Sequence, residues 1–210
     1  MSPTGSIALT FDDGPDPVWT PRVLDALAAS DARATFFVLA PLAVRHPEIL
    51  RRARDEGHEV ALHCNRHVRH DRMNAEEILS DATDGLRILG RLGHDTKAWR
   101  VPWGVVTPDT EAVAGELGLR LVGWTVDSED WRGDPAAGMI GRLSPGIGAG
   151  AVVLMHDGVG PGASRDGCGE TVGLVAPLVS MAAARGLKTV KICDLRGPLP
   201  VRNPGKVACV

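Results

Sequence analysis

The chain has 210 residues, a size that one domain with a substantial core can occupy, and its formal net charge is −3. Apolar residues make up 44% and charged residues 23%, as in an ordinary globular protein. This balance provides no basic surface for nucleic acid or anionic membranes, so we expect neither as a partner. No stretch reaches the roughly 18 apolar residues that a membrane helix needs.

The first residues, MSPTGSIALTF, lack the charged and apolar regions of a secretory signal. We therefore expect a cytoplasmic protein, with secretion as the alternative if a signal peptide has been removed. A monomer is the expected form. The four cysteines have neither disulfide-framework nor CxxC spacing, which slightly favours a reducing compartment; they are Cys64, Cys168, Cys193 and Cys209.

Short β-rich runs alternate with segments of helical periodicity along the chain. The predicted strands are 6–11, 34–39, 58–63, 98–102, 119–126, 151–156 and 187–192. The predicted helices are 21–30, 47–56, 75–92, 108–117, 135–143 and 171–185. About seven βα units argue for a parallel sheet, and their even spacing without a GxGxxG motif favours a barrel over a Rossmann sheet. We predict one α/β domain over 1–210, with its core at about 6–195 and an irregular tail at 196–210.

Polar residues recur at the carboxyl ends of the predicted strands, where parallel βα barrels assemble their active sites. They are Asp12 and Asp13 after the first strand, His63 at the third, Arg100 at the fourth, Asp127 and Asp130 after the fifth, and His156 at the sixth. Because a random scatter would not favour one end of the strands, we interpret these residues as one composite site.

Two motifs offer metal ligands. In HCNRH, His63 and His67 are four residues apart and can converge from a helix or a tight loop. On this motif alone, two unrelated histidines remain the commoner interpretation. A carboxylate from TFDDGP, which contains Asp12 and Asp13, would complete a His–His–Asp set with open positions for water and substrate. One acid would then bind metal while the other stays free as a base.

Three further motifs each allow a structural or a catalytic interpretation. RVPWG supplies the guanidinium of Arg100 and a constrained turn whose backbone N–H groups can face a ligand. VDSEDW is either a solvated acidic loop or a set of acids beside Trp131. In VVLMHDG, His156 ends an apolar strand, where it is either a satisfied structural histidine or a general acid.

In this order, TFDDGP, HCNRH, RVPWG, DSEDW and LMH resemble the five motifs of the polysaccharide deacetylase family, the NodB-like carbohydrate esterase family four. The resemblance runs from about residue 6 to about residue 195. It implies a distorted (β/α)7 barrel and metal-dependent removal of N-acetyl or O-acetyl groups.

The resemblance also implies residue roles. Asp12 would be the general base for the hydrolytic water, oriented by Arg100. A divalent ion, most commonly Zn²⁺ with Co²⁺ or Ni²⁺ as alternatives, would be held by Asp13, His63 and His67. His156 would protonate the departing amine, with Asp130 tuning it. The backbone N–H of Trp103 would contact the oxyanion, and an apolar wall for the acetyl methyl would come from Trp131 and Leu154.

Two positions depart from the family pattern. Cys64 follows the first histidine of the metal motif, where the family usually has Ser or Thr. Val68 follows the second histidine, where the family often has Pro. Cys64 is either a soft extra ligand or, in the favoured interpretation, a replacement for a loop-bracing hydroxyl. The third motif often contains Tyr, a residue that the chain lacks, but a backbone contact to the oxyanion allows Trp103 to serve.

The substrate is less well defined by the sequence. With five Trp and three Phe, the chain has few aromatic platforms for a long sugar polymer. The favoured substrates are N-acetylated amino sugars in short chitin-like or peptidoglycan-derived oligomers. Two other functions remain as alternatives to this deacetylase. One is an intracellular amidohydrolase of a small N-acylated metabolite, and the less favoured one is a carbohydrate-binding module without activity.

Overall fold

The computed structural model describes residues 5–201. This part of the chain forms eight strands, all paired in parallel: β1 Gly5–Asp12, β2 Ala34–Leu39, β3 Glu59–Cys64, β4 Ala98–Trp99, β5 Arg120–Leu121, β6 Val126–Asp127, β7 Val152–His156 and β8 Leu187–Val190. Their order is β5–β4–β3–β2–β1–β7–β6, and β8 pairs with the start of β1. The sheet curls into the distorted parallel barrel that the sequence predicts.

Helices follow the strands and cover the outside of the sheet: α1 Trp19–Ala29, α2 Ala40–Arg45, α3 Pro47–Asp55, α4 Ala75–Arg91, α5 Pro108–Glu116, α6 Ala136–Leu143 and α7 Gly169–Ala184. The six predicted helices are confirmed to within two residues at their ends, and α2 is an addition. It follows β2 directly and has no side-chain cap, so Pro41 in its first turn was the one local signal for its start. Within residues 5–201, no helix has both the length and the apolar character needed to cross a bilayer.

Two apolar clusters lie on the two faces of the sheet. The larger one joins strand residues such as Leu9 and Phe36 to buried helix residues such as Leu24 and Leu178. The smaller one contains strand and loop residues only, so it lies inside the barrel, and it includes Ala8, Phe37, Ala61, Ala98 and Val152. Because strand side chains alternate between faces, the inward rows continue from these residues towards the carboxyl end of the barrel. There they become polar, at Thr10, Asp12, His63, Arg100 and His156.

The single strand predicted over 119–126 is wrong. The segment forms β5, which pairs with β4, and β6, which pairs with β7 at the other end of the sheet. Between them, the backbone N–H of Val122 donates to Trp99 and that of Thr125 donates to Val152. The chain bends here because it must cross from one end of the sheet to the other, and this crossing closes the barrel. Hydrophobic patterning alone does not distinguish such a crossing from one straight strand.

The predicted strand 98–102 is also shorter than expected and ends at Trp99. Residues 196–201 contain neither helix nor strand, as predicted for the tail. The rest of that prediction, together with Cys209, lies outside the described residues.

Candidate active site

Three side chains form a cluster that could hold a metal ion at the carboxyl end of the barrel. One ligand atom from each of Asp13, His63 and His67 lies within 4.8 Å of the others. Asp13 Oδ1 is 3.4 Å from His63 Nε2 and 3.2 Å from His67 Nε2. Asp13 follows β1 with φ of 72°, a left-handed conformation that turns the chain out of the strand at the ligand position.

Neighbouring groups fix the orientation of the two histidines. His63 Nδ1 lies 2.5 Å from the carbonyl oxygen of Arg100, so an N–H at this position leaves Nε2 with its lone pair towards Asp13. The ring of His67 packs against the ring of Trp103 at 4.3 Å between centroids. The loop between the histidines is held by Asp81 of α4, whose carboxylate accepts the backbone N–H groups of Asn65 and Arg66.

The donor set fits a divalent metal. Asp13 Oδ1 is buried and has no hydrogen-bond partner among residues 5–201, although it faces two imidazole nitrogens. Burial would raise the pKa of Asp13, but the adjacent imidazoles of His63 and His67 lower it well below its usual value. An ionised carboxylate with two imidazole nitrogens is a three-ligand set of the kind that catalytic zinc sites use.

The adjacent carboxylate, Asp12, faces a different partner. Arg100 Nη1 donates to Asp12 Oδ1 at 2.8 Å and to Thr10 Oγ1 at 2.7 Å. The other nitrogens of this guanidinium donate to the carbonyls of Val122 and Gly123, in the segment that closes the barrel. Arg100 is 1% exposed, so the Asp12 carboxylate is paired with a desolvated cation.

A histidine–carboxylate pair lies on the other side of β1. Asp12 and His156 are register partners on β1 and β7, and Asp130 Oδ1 lies 2.7 Å from His156 Nδ1. Burial would lower the pKa of His156, but the Asp130 carboxylate raises it to about 9. Burial likewise opposes ionisation of Asp130, yet His156 and Arg165 lower the pKa of that carboxyl to about 2. The ring is therefore held in its protonated form at neutral pH.

The three predicted substrate-binding residues lie near this site in different settings. Trp103 is partly buried and has φ of 54°, an uncommon conformation for a large side chain and one that often marks functional turns. Leu154 is buried in β7, two residues before His156 on the same face of the strand. Trp131 is partly buried, and the guanidinium of Arg132 lies 6.0 Å from its ring centroid. Their roles towards a substrate stay predictions.

Several polar residues that hold this site together were not predicted from the sequence. Asp157 is fully buried and accepts a hydrogen bond from Thr20 Oγ1 at 2.5 Å, and its backbone N–H donates to the carbonyl of Asp12. Burial raises the pKa of Asp157 to about 7. Its position directly after His156 in LMHDG was the one available signal. Arg165, Thr171 and Asp81 lie outside the five motifs, and nothing in their local sequence marked them.

Cys64 does not belong to the ligand cluster. Its thiol is 1% exposed, and burial raises the pKa well above the usual value, so it stays neutral. It follows His63 at the end of β3, but its sulfur is not among the clustered ligand atoms of the described residues. The geometry therefore favours a packing role for Cys64.

The chain is similar in sequence and in fold to deacetylases and carbohydrate esterases. Residues 2–122 match the family model described as polysaccharide deacetylase. A chitooligosaccharide deacetylase of a Bradyrhizobium species is 37% identical over 167 residues, which cover 79% of this chain and 76% of that protein. The peptidoglycan-N-acetylglucosamine deacetylase PgdA of Listeria monocytogenes is 36% identical over 152 residues, 72% of this chain but 32% of that longer protein.

A family 4 carbohydrate esterase from Streptomyces lividans, solved in complex with acetate, superposes with a TM-score of 0.83. The match covers 95% of this chain and 100% of that structure at 28% identity. Fold and site together define a hydrolase that acts on carbon–nitrogen bonds. The chain belongs to the polysaccharide deacetylase family, the NodB-like carbohydrate esterases of family four.

Proposed function

We propose that the protein is a metal-dependent deacetylase that hydrolyses N-acetyl groups of amino sugars in short chitin-type or peptidoglycan-type oligomers. One observation carries the proposal: the two adjacent carboxylates have separate partners. Asp13 faces His63 and His67, whereas Asp12 pairs with Arg100. One carboxylate is thus available as a ligand and the other as a base. Zn²⁺ is the ion that best suits two imidazole nitrogens and one carboxylate, with Co²⁺ or Ni²⁺ as substitutes.

Asp12 takes the proton from the attacking water. Its carboxylate accepts a hydrogen bond from Arg100, and Arg100 is itself fixed by Thr10 and by two backbone carbonyls, so the base has one orientation. A bound divalent ion would polarise the acetyl carbonyl and acidify the water. The water oxygen bonds to the acetyl carbon, the C–N bond breaks, and acetate and a free amine leave.

His156 supplies a proton to the departing nitrogen. Asp130 raises the pKa of His156 to about 9, so the ring carries a proton at neutral pH. Its Nδ1 is occupied by Asp130, which leaves Nε2–H as the donor. A neutral amine is a far better leaving group than an amide anion, and the proton therefore has to arrive as the C–N bond breaks.

The remaining roles concern the acetyl group. The backbone N–H of Trp103 is the proposed donor to the developing oxyanion, a contact for which a fixed turn is well suited. Leu154 and Trp131 form the proposed apolar wall for the acetyl methyl. The substrate class follows the names of the relatives, chitooligosaccharide and peptidoglycan-N-acetylglucosamine deacetylases. Short oligomers are preferred because Phe11, Phe36, Phe37 and Trp99 are buried, which leaves few aromatic side chains for a long groove.

The test measures amine release from N-acetylglucosamine and its oligomers of increasing length. Chelator-treated protein is assayed alone and after addition of Zn²⁺, Co²⁺ or Ni²⁺. We expect no turnover without metal, recovery with Zn²⁺ or Co²⁺, and rates that rise with oligomer length. Full turnover in metal-free protein would contradict the metal role. Activity confined to small non-sugar amides would instead identify an amidohydrolase of a small metabolite.

A further inference from the structure

Arg165 lies outside the five motifs, yet its guanidinium contacts Asp130, the carboxylate that pairs with His156. It is in the segment between β7 and α7, and its side chain is 5% exposed. Nη1 donates to Asp130 Oδ2 at 3.0 Å and to Thr171 Oγ1 at 2.5 Å. Nη2 donates to the carbonyls of His156 and Gly158, each at 3.1 Å. One side chain therefore connects the end of β7, the start of α7 and the carboxylate behind His156.

The two oxygens of Asp130 are used in different ways. Oδ2 accepts from Arg165 Nη1, from Thr171 Oγ1 at 2.6 Å and from the backbone N–H of His156 at 2.9 Å. Oδ1 accepts from the imidazole Nδ1 of His156. Three donors on Oδ2 prevent the carboxyl group from rotating, so Oδ1 stays directed at the ring. Since Asp130 is fully buried, these donors also replace the water that its charge has lost.

We propose that Arg165 is a positioning residue for the His156–Asp130 pair. By fixing Asp130, it sets the direction in which His156 presents Nε2–H to the departing nitrogen. The proposal rests on the proposed function, because it assigns Arg165 a purpose only if His156 acts as an acid. A purely structural role would explain why Arg165 donates to two backbone carbonyls. It would not explain why the same guanidinium also forms an ion pair with Asp130.

The first experiment separates these roles by the leaving group. Arg165→Ala and Arg165→Lys are compared with the parent protein and with His156→Ala on two substrates, an N-acetylglucosamine oligomer and 4-nitrophenyl acetate. Nitrophenolate is a stable anion and leaves without being protonated, whereas the nitrogen of the sugar amine must be protonated before it can leave. We expect Arg165→Ala to lower kcat for the oligomer by about 10²-fold, as small misplacements of catalytic groups do, with little change in KM. The loss on the ester should be a few-fold, and His156→Ala should show the same selectivity.

Arg165→Lys should retain more activity than Arg165→Ala, because the ammonium group can still pair with Asp130. It should be less active than the parent protein, because an ammonium group cannot also bridge the two backbone carbonyls. Added guanidinium should restore part of the amide activity of Arg165→Ala, which simple loss of packing would not allow. The matched control is Arg185→Ala. Arg185 also bridges backbone carbonyls, those of Ser144 and Ile147, but it does so away from the site. It should change stability and leave the ratio of amide to ester rates unchanged.

The double variant His156→Ala/Arg165→Ala decides whether Arg165 acts through His156. If it does, the second substitution should cost no more than about two-fold beyond His156→Ala alone, since effects within one unit are not additive. Equal losses on amide and ester, or full additivity, would overturn the proposal. If the parent protein fails on sugars, the proposed function fails separately. The proposal is then judged by the imidazole Nδ1–H resonance of His156, which should persist in Arg185→Ala and be lost in Arg165→Ala.

Discussion

Asp12 and Asp13 are neighbours in the chain but have different electrostatic surroundings. Asp12 ends a buried strand beside the guanidinium of Arg100, and Asp13 has left the strand in a left-handed conformation that faces His63 and His67. Two carboxylates side by side in a buried site would repel each other unless each met positive charge. One faces an arginine and the other faces two imidazoles with which it could hold a divalent cation, so the pair tolerates burial.

The division between the aspartates predicts opposite outcomes for two matched variants. Asp12→Asn should keep its metal, because Asp13 is intact, and lose about 10²–10⁴-fold in kcat, since an amide cannot accept the proton from water. Asp13→Asn should lose metal affinity first and recover part of its activity at high metal concentration. Metal content and rate are measured together. An Asp12→Asn protein without metal, beside a metal-loaded Asp13→Asn protein, would require the two roles to be exchanged.

Cys64→Ser should keep one metal per chain and most of the activity. The thiol is buried, burial raises its pKa, its sulfur is not among the clustered ligand atoms, and a hydroxyl replaces it with little change in volume. Metal stoichiometry is measured after dialysis, with Cys168→Ser as a control for a second buried cysteine away from the ligand cluster. Loss of metal from Cys64→Ser alone would show that the thiolate is a ligand.

At the residue scale, much of the site was predictable because several motif residues lie at or directly beside the carboxyl end of a strand, and inward positions recur every second residue. Asp12, His63, Arg100 and His156 therefore follow from alternation and strand ends together. Asp81, Arg165 and Thr171 did not follow, because they approach from helices and loops whose location depends on tertiary packing. A lone Arg or Thr in a polar segment carries no periodic signal.

Among the elements, the segment between β7 and α7 passes unusually close to the proposed metal ligand. A Cβ atom on Gly160 would overlap the Asp13 carboxylate, and one on Gly158 would overlap the Asp13 backbone carbonyl. Glycine at both positions lets this loop pack directly on Asp13. The loop therefore shapes the ligand from outside the metal motif.

Gly160→Ala should consequently weaken metal binding by about 10–100-fold, the usual effect of disturbing a group that supports a ligand. The added methyl group can be accommodated only if Asp13 or the loop moves. Metal affinity is measured by competition with a chelator. Gly148→Ala is the control, because a Cβ there meets no atom within 4 Å. Equal affinities for the two variants would mean that the loop yields without moving Asp13.

The errors in the predicted elements have a common physical origin. Residues 119–126 contain enough apolar and β-branched side chains for one strand, but Gly123 lies where the chain crosses between the ends of the sheet. Its carbonyl and that of Val122 bind Arg100 instead of a neighbouring strand. A local sequence pattern indicates which residues prefer an extended backbone. It does not indicate which donor each backbone carbonyl will bind, because that depends on how the barrel closes.

For the whole molecule, buried neutral histidines couple stability to pH. His58 Nδ1 accepts the backbone N–H of Ala34, and burial lowers the pKa of His58 to about 4. The charged groups around it are Glu56, Arg33, Arg52 and Lys191. The unfolded chain binds the proton near pH 6.5, whereas the folded chain resists it down to about pH 4. The stabilisation is therefore complete above pH 6.5 and is lost as the pH falls from 6.5 to 4.

His58→Gln should reduce this loss by up to about 3 kcal/mol, the linkage value of a shift of this size. The free energy of unfolding is measured by urea denaturation from pH 4 to 7 in the presence of a chelator. His46→Gln, at a partly exposed ring, is the control and should keep the parent slope. Some slope should remain in His58→Gln, because burial also lowers the pKa values of His70 and His94. An unchanged slope would contradict the assignment to His58.

The order of the strands also has a consequence for biosynthesis. β1 lies in the middle of the sheet, and one of its sides is covered by β7 and β8 from the last third of the chain. His67, the last of the three proposed ligands in the chain, is synthesised 89 residues before His156, a delay of roughly 5–20 s at ordinary rates of translation. During that time the central strand has an open edge, on which a nascent chain is prone to mispair. The proposed ligand cluster is synthesised first, and the proposed proton donor arrives with the strand that covers that edge.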